Sequence, residues 1–146
     1  MKTLSSDDRV TMGVLDVDEC LVLLRWEVIG RLAVSIPDAA PSVVPINFVV
    51  DENTIVFRTG AGEKLEHLRG SAVSVQVDRF DWYRRIGWSV LVQGVAVECD
   101  PSEVEELPLG TWAPGDMDHV IRVVPISITG RRLGLSDSPV DLRGYL

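Results

Sequence analysis

The sequence predicts a mainly β protein with short helices, built as a six-stranded antiparallel β-barrel. Short apolar segments recur along the chain with turn residues between them, which is typical of strands joined by hairpins. The chain has 146 residues, the length of one domain. Hydrophobic residues make up 46% of it, enough for a substantial core. We therefore expect residues 1–146 to form a single domain.

The two ends of the chain lie outside the predicted barrel. We expect residues 1–15 to be an N-terminal arm and residues 133–146 to be a C-terminal tail. A first helix begins after the arm, because Asp16-Val-Asp-Glu19 fits a capping box in which Asp16 is the N-cap and Glu19 bonds back to it. Its apolar side continues toward Gly30, where we expect the helix to end.

The strands follow this helix. We expect them at 31–36, 43–50, 54–59, 72–77, 87–98 and 119–128. Residues 51–53 (Asp-Glu-Asn) are typical of a hairpin turn between two of them. Short helices are expected at 63–68 and 101–107. Gly94 lies within the long fifth strand, where a glycine favours a bulge or a bend.

Two of these strands are apolar on both faces of the pleat. Residues 43–50 (Val-Val-Pro-Ile-Asn-Phe-Val-Val) and 90–97 do not alternate between apolar and polar side chains. A strand that is apolar on both faces needs cover on both, whereas a barrel covers only its interior. The exterior must therefore meet helices or a second subunit, and we expect a homodimer.

The charge of the chain limits its partners. The formal net charge is −8, so there is no basic footprint for nucleic acid or for an acidic membrane surface. The first residues lack the apolar run of a signal peptide, and the apolar segments are too short to span a bilayer. These features predict a cytoplasmic protein without nucleic-acid or membrane partners.

The residue types that carry acid–base, nucleophilic or metal chemistry are scattered. Cys20 and Cys99 lie far apart without metal-ligand spacing, and we expect both to be buried and reduced. His67 is predicted on a short helix and His119 at the start of a strand. Because no Ser-His-Asp order, paired carboxylates or metal spacing is present, hydrolase and metalloenzyme functions are disfavoured.

The segment from Ile55 to Leu68 runs from an apolar strand through a glycine-containing turn into a short helix. Arg58, Thr59 and Lys64 are grouped around this turn. A guanidinium, a hydroxyl and an ammonium beside a helix start could together bind a phosphate monoester. The alternative is an ordinary strand–turn–helix with solvated basic residues.

The order of these pieces resembles the pyridoxamine 5′-phosphate oxidase-like family of flavin-binding split β-barrels, in its short and uncharacterised subgroup. The resemblance covers roughly residues 18–132, and its strength lies in the order and spacing of the pieces. The matching pieces are Gly30-Arg-Leu-Ala-Val-Ser35, Val44-Pro-Ile-Asn-Phe48, Ile55-Val-Phe-Arg-Thr59, Gly62-Glu-Lys-Leu65, Val73-Ser-Val-Gln-Val-Asp78, Gly87-Trp-Ser-Val-Leu-Val-Gln-Gly94 and Val124-Pro-Ile-Ser-Ile-Thr-Gly-Arg131.

The resemblance implies a homodimer with two FMN molecules at the subunit interface. It places ten residues at the cofactor: Arg58, Thr59 and Lys64 at the phosphate, Val44, Pro45, Ile46 and Asn47 along the isoalloxazine ring, and Trp88, Ser89 and Val90 in the same cleft, often from the partner subunit. No metal ligand and no catalytic residue is implied, since the flavin itself carries hydride chemistry.

Several of these residues also have simpler interpretations. Pro45 cannot donate to a strand ladder, so it belongs at an edge or a bulge, with or without a cofactor beside it. Asn47 needs a partner if buried, and a ligand and a neighbouring loop are both open. Trp88 could be plain core packing. Arg84 and Arg85 could form local ion pairs to Asp78 or Asp81, or contact a substrate or the anionic end of the cofactor.

The resemblance implies an FMN-dependent oxidoreductase acting on a small molecule of unknown identity. One alternative is a reductase that uses the deazaflavin F420, with Arg31, Arg84 and Arg85 along its anionic tail. Another is a non-enzymatic flavin- or haem-binding module. A true pyridoxamine-phosphate oxidase is less expected, because the chain ends soon after Thr129-Gly-Arg-Arg132, without the basic extension that would bind the substrate phosphate.

Overall fold

The computed structural model describes residues 10–135, except for the side chains of Val10, Glu63 and Leu135. Within that range the chain forms seven strands, two α-helices and one 3-10 helix. In chain order they are β1 (Val10–Leu15), α1 (Val17–Arg25), β2 (Ile29–Val34), β3 (Ser42–Asp51), β4 (Thr54–Thr59), α2 (Glu63–Leu68), β5 (Ala72–Asp81), β6 (Ile86–Cys99), the 3-10 helix Pro101–Val104 and β7 (His119–Leu135).

The strands form one antiparallel sheet in the order β1-β7-β4-β3-β2-β5-β6. Because β6 also pairs with β7, the last six strands of that order close into a barrel, and β1 pairs with β7 outside it. This confirms the predicted six-stranded antiparallel barrel and adds an outside strand.

The barrel interior holds the main core. Each strand contributes alternate residues to it, and the side chains of Leu32, Phe57 and Val92 are fully buried there. The helices cover opposite ends of the barrel, since α1 lies near the turn that starts β4 and α2 follows the end of β4. Leu24 of α1 and Leu68 of α2 belong to the same core.

The ladder between β3 and β4 is short. It runs from the Asp51–Thr54 pair to the Phe48–Phe57 pair, and residues 42–47 of β3 then pair only with β2. The two strands therefore part just beyond Phe48 and Phe57. One edge of β3 is left without a strand partner along residues 42–47.

A second, smaller core lies outside the barrel. Val56 of β4, Cys99 of β6 and Val120 of β7 pack there under Val104 of the 3-10 helix. Both cysteines are free and buried as expected, and burial is the main cause that raises the pKa of Cys20 to about 11. We call the packing around Val56 the outer cluster.

The structure corrects several predicted boundaries. Residues 10–15 of the expected arm form β1, and residues 133–135 of the expected tail belong to β7, because these two segments pair with each other. Residues 1–9 and 136–146 lie outside the described range. The helix predicted at 101–107 is a 3-10 helix that ends at Val104.

The first helix is also shorter than predicted. The capping box at Asp16 and Glu19 is present, but the helix ends at Arg25 and not near Gly30. The N–H of Trp26 closes the last turn, and β2 begins at Ile29. The carbonyl of Val28 already accepts a hydrogen bond from the N–H of Phe48. This segment is therefore bonded to the sheet and does not continue the helix.

The bulge predicted at Gly94 is confirmed, since the register between β6 and β7 shifts between Gln93 and Gly94. The β7 backbone comes very close here: a Cβ on Gly94 would lie 2.1 Å from the carbonyl oxygen of Val124. Only a residue without a side chain fits this position.

We therefore expect Gly94→Ala to lower the free energy of unfolding by about 1–3 kcal/mol, the usual cost of forcing extra atoms into a packed site. Gly110→Ala is the matched control, because a Cβ there would have no atom within 4 Å. Urea denaturation of both variants measures the difference. Equal stability of the two variants would contradict the close approach at the bulge.

Candidate functional site

The predicted phosphate residues meet where β4 ends and α2 begins. Arg58 and Thr59 are the last residues of β4, and Lys64 lies in the first turn of α2. Arg58 is half-buried, and its Nε is buried without a hydrogen-bond partner among the described residues. The buried Thr59 hydroxyl makes only a long contact of 3.5 Å, to the carbonyl oxygen of Gly60. Two polar side chains here have unused bonding capacity.

Lys64 carries the second positive charge at this turn. It is half-buried, and this burial lowers the pKa of its ammonium group because the charged form loses hydration. A nearby anion would reverse that effect by stabilising the charged form. The turn therefore holds two partly desolvated cations, and the chemistry that satisfies both is an anion with several acceptor oxygens.

The open edge of β3 lies beside this turn. Since β3 and β4 part after Phe48 and Phe57, Asn47 and Arg58 are the next residue on each strand. Val44 and Ile46 point toward the barrel core, whereas Pro45 is exposed on the outer face. The prediction that Pro45 sits at an edge is confirmed. An unpaired strand edge presents backbone N–H and C=O groups that can bond to a flat ligand.

Asn47 has partners within the chain. Its side-chain Nδ2 donates to the carbonyl oxygen of Val28 at 3.4 Å, and its Oδ1 accepts from the N–H of Trp112 at 2.9 Å. Neighbouring segments, one of the two kinds of partner considered from the sequence, therefore bond this side chain. Asn47 thus connects β3 to the segments on either side of it.

The third predicted group lies elsewhere in the sheet. Trp88 and Val90 of β6 are buried in the barrel core, which confirms the packing interpretation of Trp88, while Ser89 is half-buried on the opposite face. The indole N–H of Trp88 is nonetheless without a partner among the described residues. Trp88 also lines a cleft of about 320 Å³ with Phe80 and Trp82.

Within one chain, the structure therefore brings two of the three groups together. The phosphate residues adjoin the open edge of β3, whereas β2 and β5 separate β3 from β6 in the sheet. For Trp88, Ser89 and Val90 to reach the same ligand, they would have to come from a second copy of the chain. Their contact with a cofactor remains a prediction.

The hairpin between β5 and β6 presents aromatic and basic side chains. Asp81 accepts from the backbone N–H groups of Tyr83 and Arg84 and forms an ion pair with Arg84, with 3.7 Å between Arg84 Nε and Asp81 Oδ2. Of the interpretations given for Arg84, the local ion pair with Asp81 is present. Trp82 and Tyr83 are 90% and 94% exposed at the tip.

His119 lies at the start of β7, as predicted, and contacts a carboxylate. Glu98 accepts from His119 and from Arg69, and these two hydrogen bonds lower the pKa of Glu98. His67 lies on α2.

Between residues 10 and 135 there is no group of histidine, cysteine and carboxylate side chains that could hold a metal ion. Nor does that part of the chain contain a helix long and apolar enough to cross a bilayer.

One contributor to the site was missed in the sequence. The irregular segment 105–118 crosses the outer face of β3 and β4. The N–H of Trp112 donates to Asn47, and the carbonyl oxygen of Asp116 lies so close to Gly60 that a Cβ there would be 3.0 Å from it. The available signal was a single tryptophan between turn residues, in Leu107-Pro-Leu-Gly-Thr-Trp-Ala-Pro.

Comparison with known proteins identifies the fold and the relatives. The profile of the family described as pyridoxamine 5′-phosphate oxidase matches residues 16–132. An uncharacterized protein of Mycobacterium tuberculosis is 35% identical over 128 residues, which cover 82% of this chain and 84% of the relative. The FAD binding protein from Mycobacterium smegmatis is 31% identical, with a TM-score of 0.71, over 84% of this chain and 98% of that one. A FAD-binding protein from Mesorhizobium loti is 25% identical, with a TM-score of 0.67, over 86% of this chain and 99% of that one.

Proposed function

Since this chain belongs to the pyridoxamine 5′-phosphate oxidase family, we propose that it is an FMN-dependent oxidoreductase acting on a small molecule. The observation that carries the proposal is the juxtaposition of an open strand edge with two partly desolvated cations. Residues 42–47 of β3 lack a partner on one side, and Arg58 and Lys64 lie where that edge meets the β4–α2 turn.

The phosphate of FMN would occupy the β4–α2 turn. Its oxygens are acceptors for the buried Nε of Arg58, which has no other partner among the described residues. They would also accept from the Thr59 hydroxyl and the Lys64 ammonium. The negative charge offsets the hydration that Lys64 has lost.

The ring system would lie along β3. An isoalloxazine ring carries donors and acceptors on its pyrimidine edge, and the free backbone groups of residues 42–47 can pair with them as a further strand would. Pro45 and the side chains on the outer face would cover part of the ring and exclude water. Residues 88–90 of a second subunit would complete the cleft. Ser89 would do so with its side chain, and Trp88 and Val90 with their backbone, since their side chains are buried in the core of that subunit.

When bound, FMN supplies hydride transfer, so the protein needs no nucleophile and no metal. The work of this chain is then to hold the phosphate with Arg58, Thr59 and Lys64 and to orient the ring along β3. Charged donors near the pyrimidine edge would raise the reduction potential of the ring, because they stabilise its anionic reduced form.

A second candidate cofactor is FAD, because two structurally similar proteins are FAD-binding proteins. FAD shares the riboflavin phosphate and adds an adenylate. Chromatography of the flavin released by heating the purified protein separates the two molecules. An absorbance spectrum taken beforehand distinguishes either one from F420, which has one near-violet band, and from haem, which has a sharp Soret band.

We also propose that the protein is a homodimer. Apolar side chains on the outer face of the barrel support this proposal: Val43 of β3 is 60% exposed, and Val124 and Ile126 of β7 are exposed as well. Exposed apolar groups on several strands of one sheet are typical of a surface that a subunit covers. The open edge of β3 would then lie near the interface.

Substitution of the two cations tests the phosphate site. We expect Arg58→Gln and Lys64→Gln each to weaken FMN binding by about 1–3 kcal/mol, the range for a hydrogen bond to a charged group. Isothermal titration of flavin-free protein measures the loss. Arg69→Gln is the control, because Arg69 follows the other end of α2 and is paired with Glu98. The phosphate assignment is wrong if Arg58→Gln and Lys64→Gln bind FMN as tightly as the parent.

The lowered pKa of Lys64 predicts a pH dependence. The phosphate stabilises the charged ammonium of Lys64. The affinity for FMN is therefore highest below the pKa that Lys64 has in the free protein, and it falls as the pH rises through that pKa. Because burial lowers that pKa, the fall begins at a lower pH than for an ordinary lysine, whose pKa is about 10.4. Riboflavin lacks the phosphate and should not show this fall. Lys64→Arg should abolish it, and a fall that persists in Lys64→Arg would exclude Lys64 as its cause.

The dimer is tested by light scattering after size exclusion. We expect the mass of two chains for the parent and a shift toward one chain for Val43→Glu combined with Ile126→Glu, since a buried unpaired carboxylate is costly. Glu substitution at Tyr83, which is exposed on the hairpin tip, is the control for added charge. A single-chain mass for the parent at micromolar concentration would rule out the dimer.

A further inference from the structure

Two opposite charges on the outer face of the barrel have no partner of opposite charge among the described residues. Arg31 of β2 is exposed, and its side chain makes no hydrogen bond or ion pair within residues 10–135. Asp78 of β5 is half-buried, and its carboxylate accepts from Nε2 of Gln76 at 2.6 Å. Because Arg31 pairs with Gln76 in the sheet, Arg31 and Asp78 are diagonal neighbours on one face. The structure shows no ion pair between them, so each charge is available to another molecule.

The proposed flavin site determines how two copies of the chain would face each other. It requires residues 88–90 of β6 in one copy to lie opposite β3 of the other, and β2 and β5 lie between these strands in the sheet. A two-fold axis that runs along the strands, between β2 and β5, meets this requirement. The same rotation places β2 opposite β5. Because it preserves positions along the strands, Arg31 comes opposite Gln76 of the second copy, next to Asp78.

The register of the sheet agrees with this arrangement. Asn47 of β3 and Ser89 of β6 lie in one row across the outer face, next to the row that contains Arg31. They therefore share the same position along the strands, and the axis places Asn47 of one copy opposite Ser89 of the other. Two groups of the proposed cofactor site that are separate within one chain are thus brought together.

The surface beside this axis is suited to close contact. Ala33 of β2 and Ser74 of β5 form a ladder pair of small side chains, and a hollow of about 350 Å³ lies there. Gln93 and Ile126 also line this hollow. The axis places Val43 of the second copy, a side chain that is 60% exposed, opposite Gln93. An apolar side chain that enters the hollow leaves water, and this stabilises the contact.

We propose that Arg31 of each subunit forms an ion pair with Asp78 of the other subunit. A two-fold axis produces two such pairs, and the Gln76 amide already orients each carboxylate. Charge pairs across an interface select one arrangement of the subunits, because like charges in the same positions are costly. The pairs would thus fix the arrangement in which residues 88–90 complete the flavin site of the partner. This inference rests on the proposed function, which sets β6 opposite β3.

A second cation on the same face distinguishes this arrangement from another one. Arg131 of β7 pairs with Ser89 and is exposed. Its Nη1 lies 3.7 Å from Sδ of Met12, and it has no carboxylate partner in the part of the chain that the structure describes. A two-fold axis along β6 would place Arg131, instead of Arg31, opposite Asp78. That arrangement would set β6 opposite itself and away from β3.

Charge reversal in separate chains tests the pairing. Arg31→Asp alone places carboxylates opposite each other at both positions, and Asp78→Arg alone places guanidinium groups there. We expect each variant alone to raise the dissociation constant of the dimer at least about tenfold, because like charges then meet across the interface. An equimolar mixture of the two variants restores opposite charges at both positions and should recover most of the affinity. Sedimentation over a dilution series measures the constants, and native mass spectrometry identifies the mixed dimer by its mass.

The mixture separates a pair between subunits from a pair within one chain, since mixing leaves the charges inside each chain unchanged. The double variant Arg31→Asp with Asp78→Arg should also dimerise, and it gives a second test if one single variant does not fold. The matched control is Arg131→Asp mixed with Asp78→Arg. It makes the same change of charge on the same face, and we expect no recovery from it.

Three results would overturn the pairing: single variants that dimerise as tightly as the parent, no recovery in either the mixture or the double variant, or recovery with Arg131→Asp in place of Arg31→Asp. If the parent is a dimer, each of these results leaves the homodimer proposal intact. Binding of FMN is measured on the same samples by titration. Recovery on mixing without FMN binding refutes the cofactor proposal alone, and a parent that is a single chain refutes the homodimer and the pairing together.

Discussion

The separation of β3 from β4 is the constraint on which the candidate site depends. Four residue pairs join these strands, and beyond Phe48 and Phe57 the chain of β4 turns away into α2. The barrel closes elsewhere, through the pairing of β6 with β7. One edge of β3 can therefore stay without a strand partner although the barrel is closed. The same separation places Arg58 beside that edge, so one feature of topology creates both the backbone surface and the cation next to it.

The electrostatics of this region favour a ligand over a purely structural role. A half-buried guanidinium with an unpartnered Nε and a half-buried ammonium are both costly to desolvate. The half-buried Arg122, by contrast, donates to the carboxylate of Asp51 at 2.8 Å. The absence of such a pairing at Arg58 Nε, within residues 10–135, marks a position where an anion would stabilise the fold.

Local sequence signals predicted much of the fold and part of the site. The capping box at Asp16 could be found because it depends on residues close together in sequence. The bulge at Gly94 could be found because a glycine inside a strand favours a bulge. The strand β1 could not, since its partner lies at the opposite end of β7 and nothing near it in sequence indicates the pairing. In the site, the strand–turn–helix around Arg58 was visible as a motif. The part played by Trp112 was not, because its bond to Asn47 joins two segments that only the folded barrel brings together.

The central claim is that a flavin lies along the open edge of β3 with its phosphate at the β4–α2 turn. Backbone hydrogen exchange, followed by mass spectrometry with and without saturating FMN, tests both halves of that claim at once. We expect slower exchange on FMN addition in residues 60–64 and at those N–H groups of residues 42–47 that point away from β2. Exchange in the outer edge of β1 should not change. Protection confined to other strands, or no protection at all under conditions where FMN is bound, would contradict it.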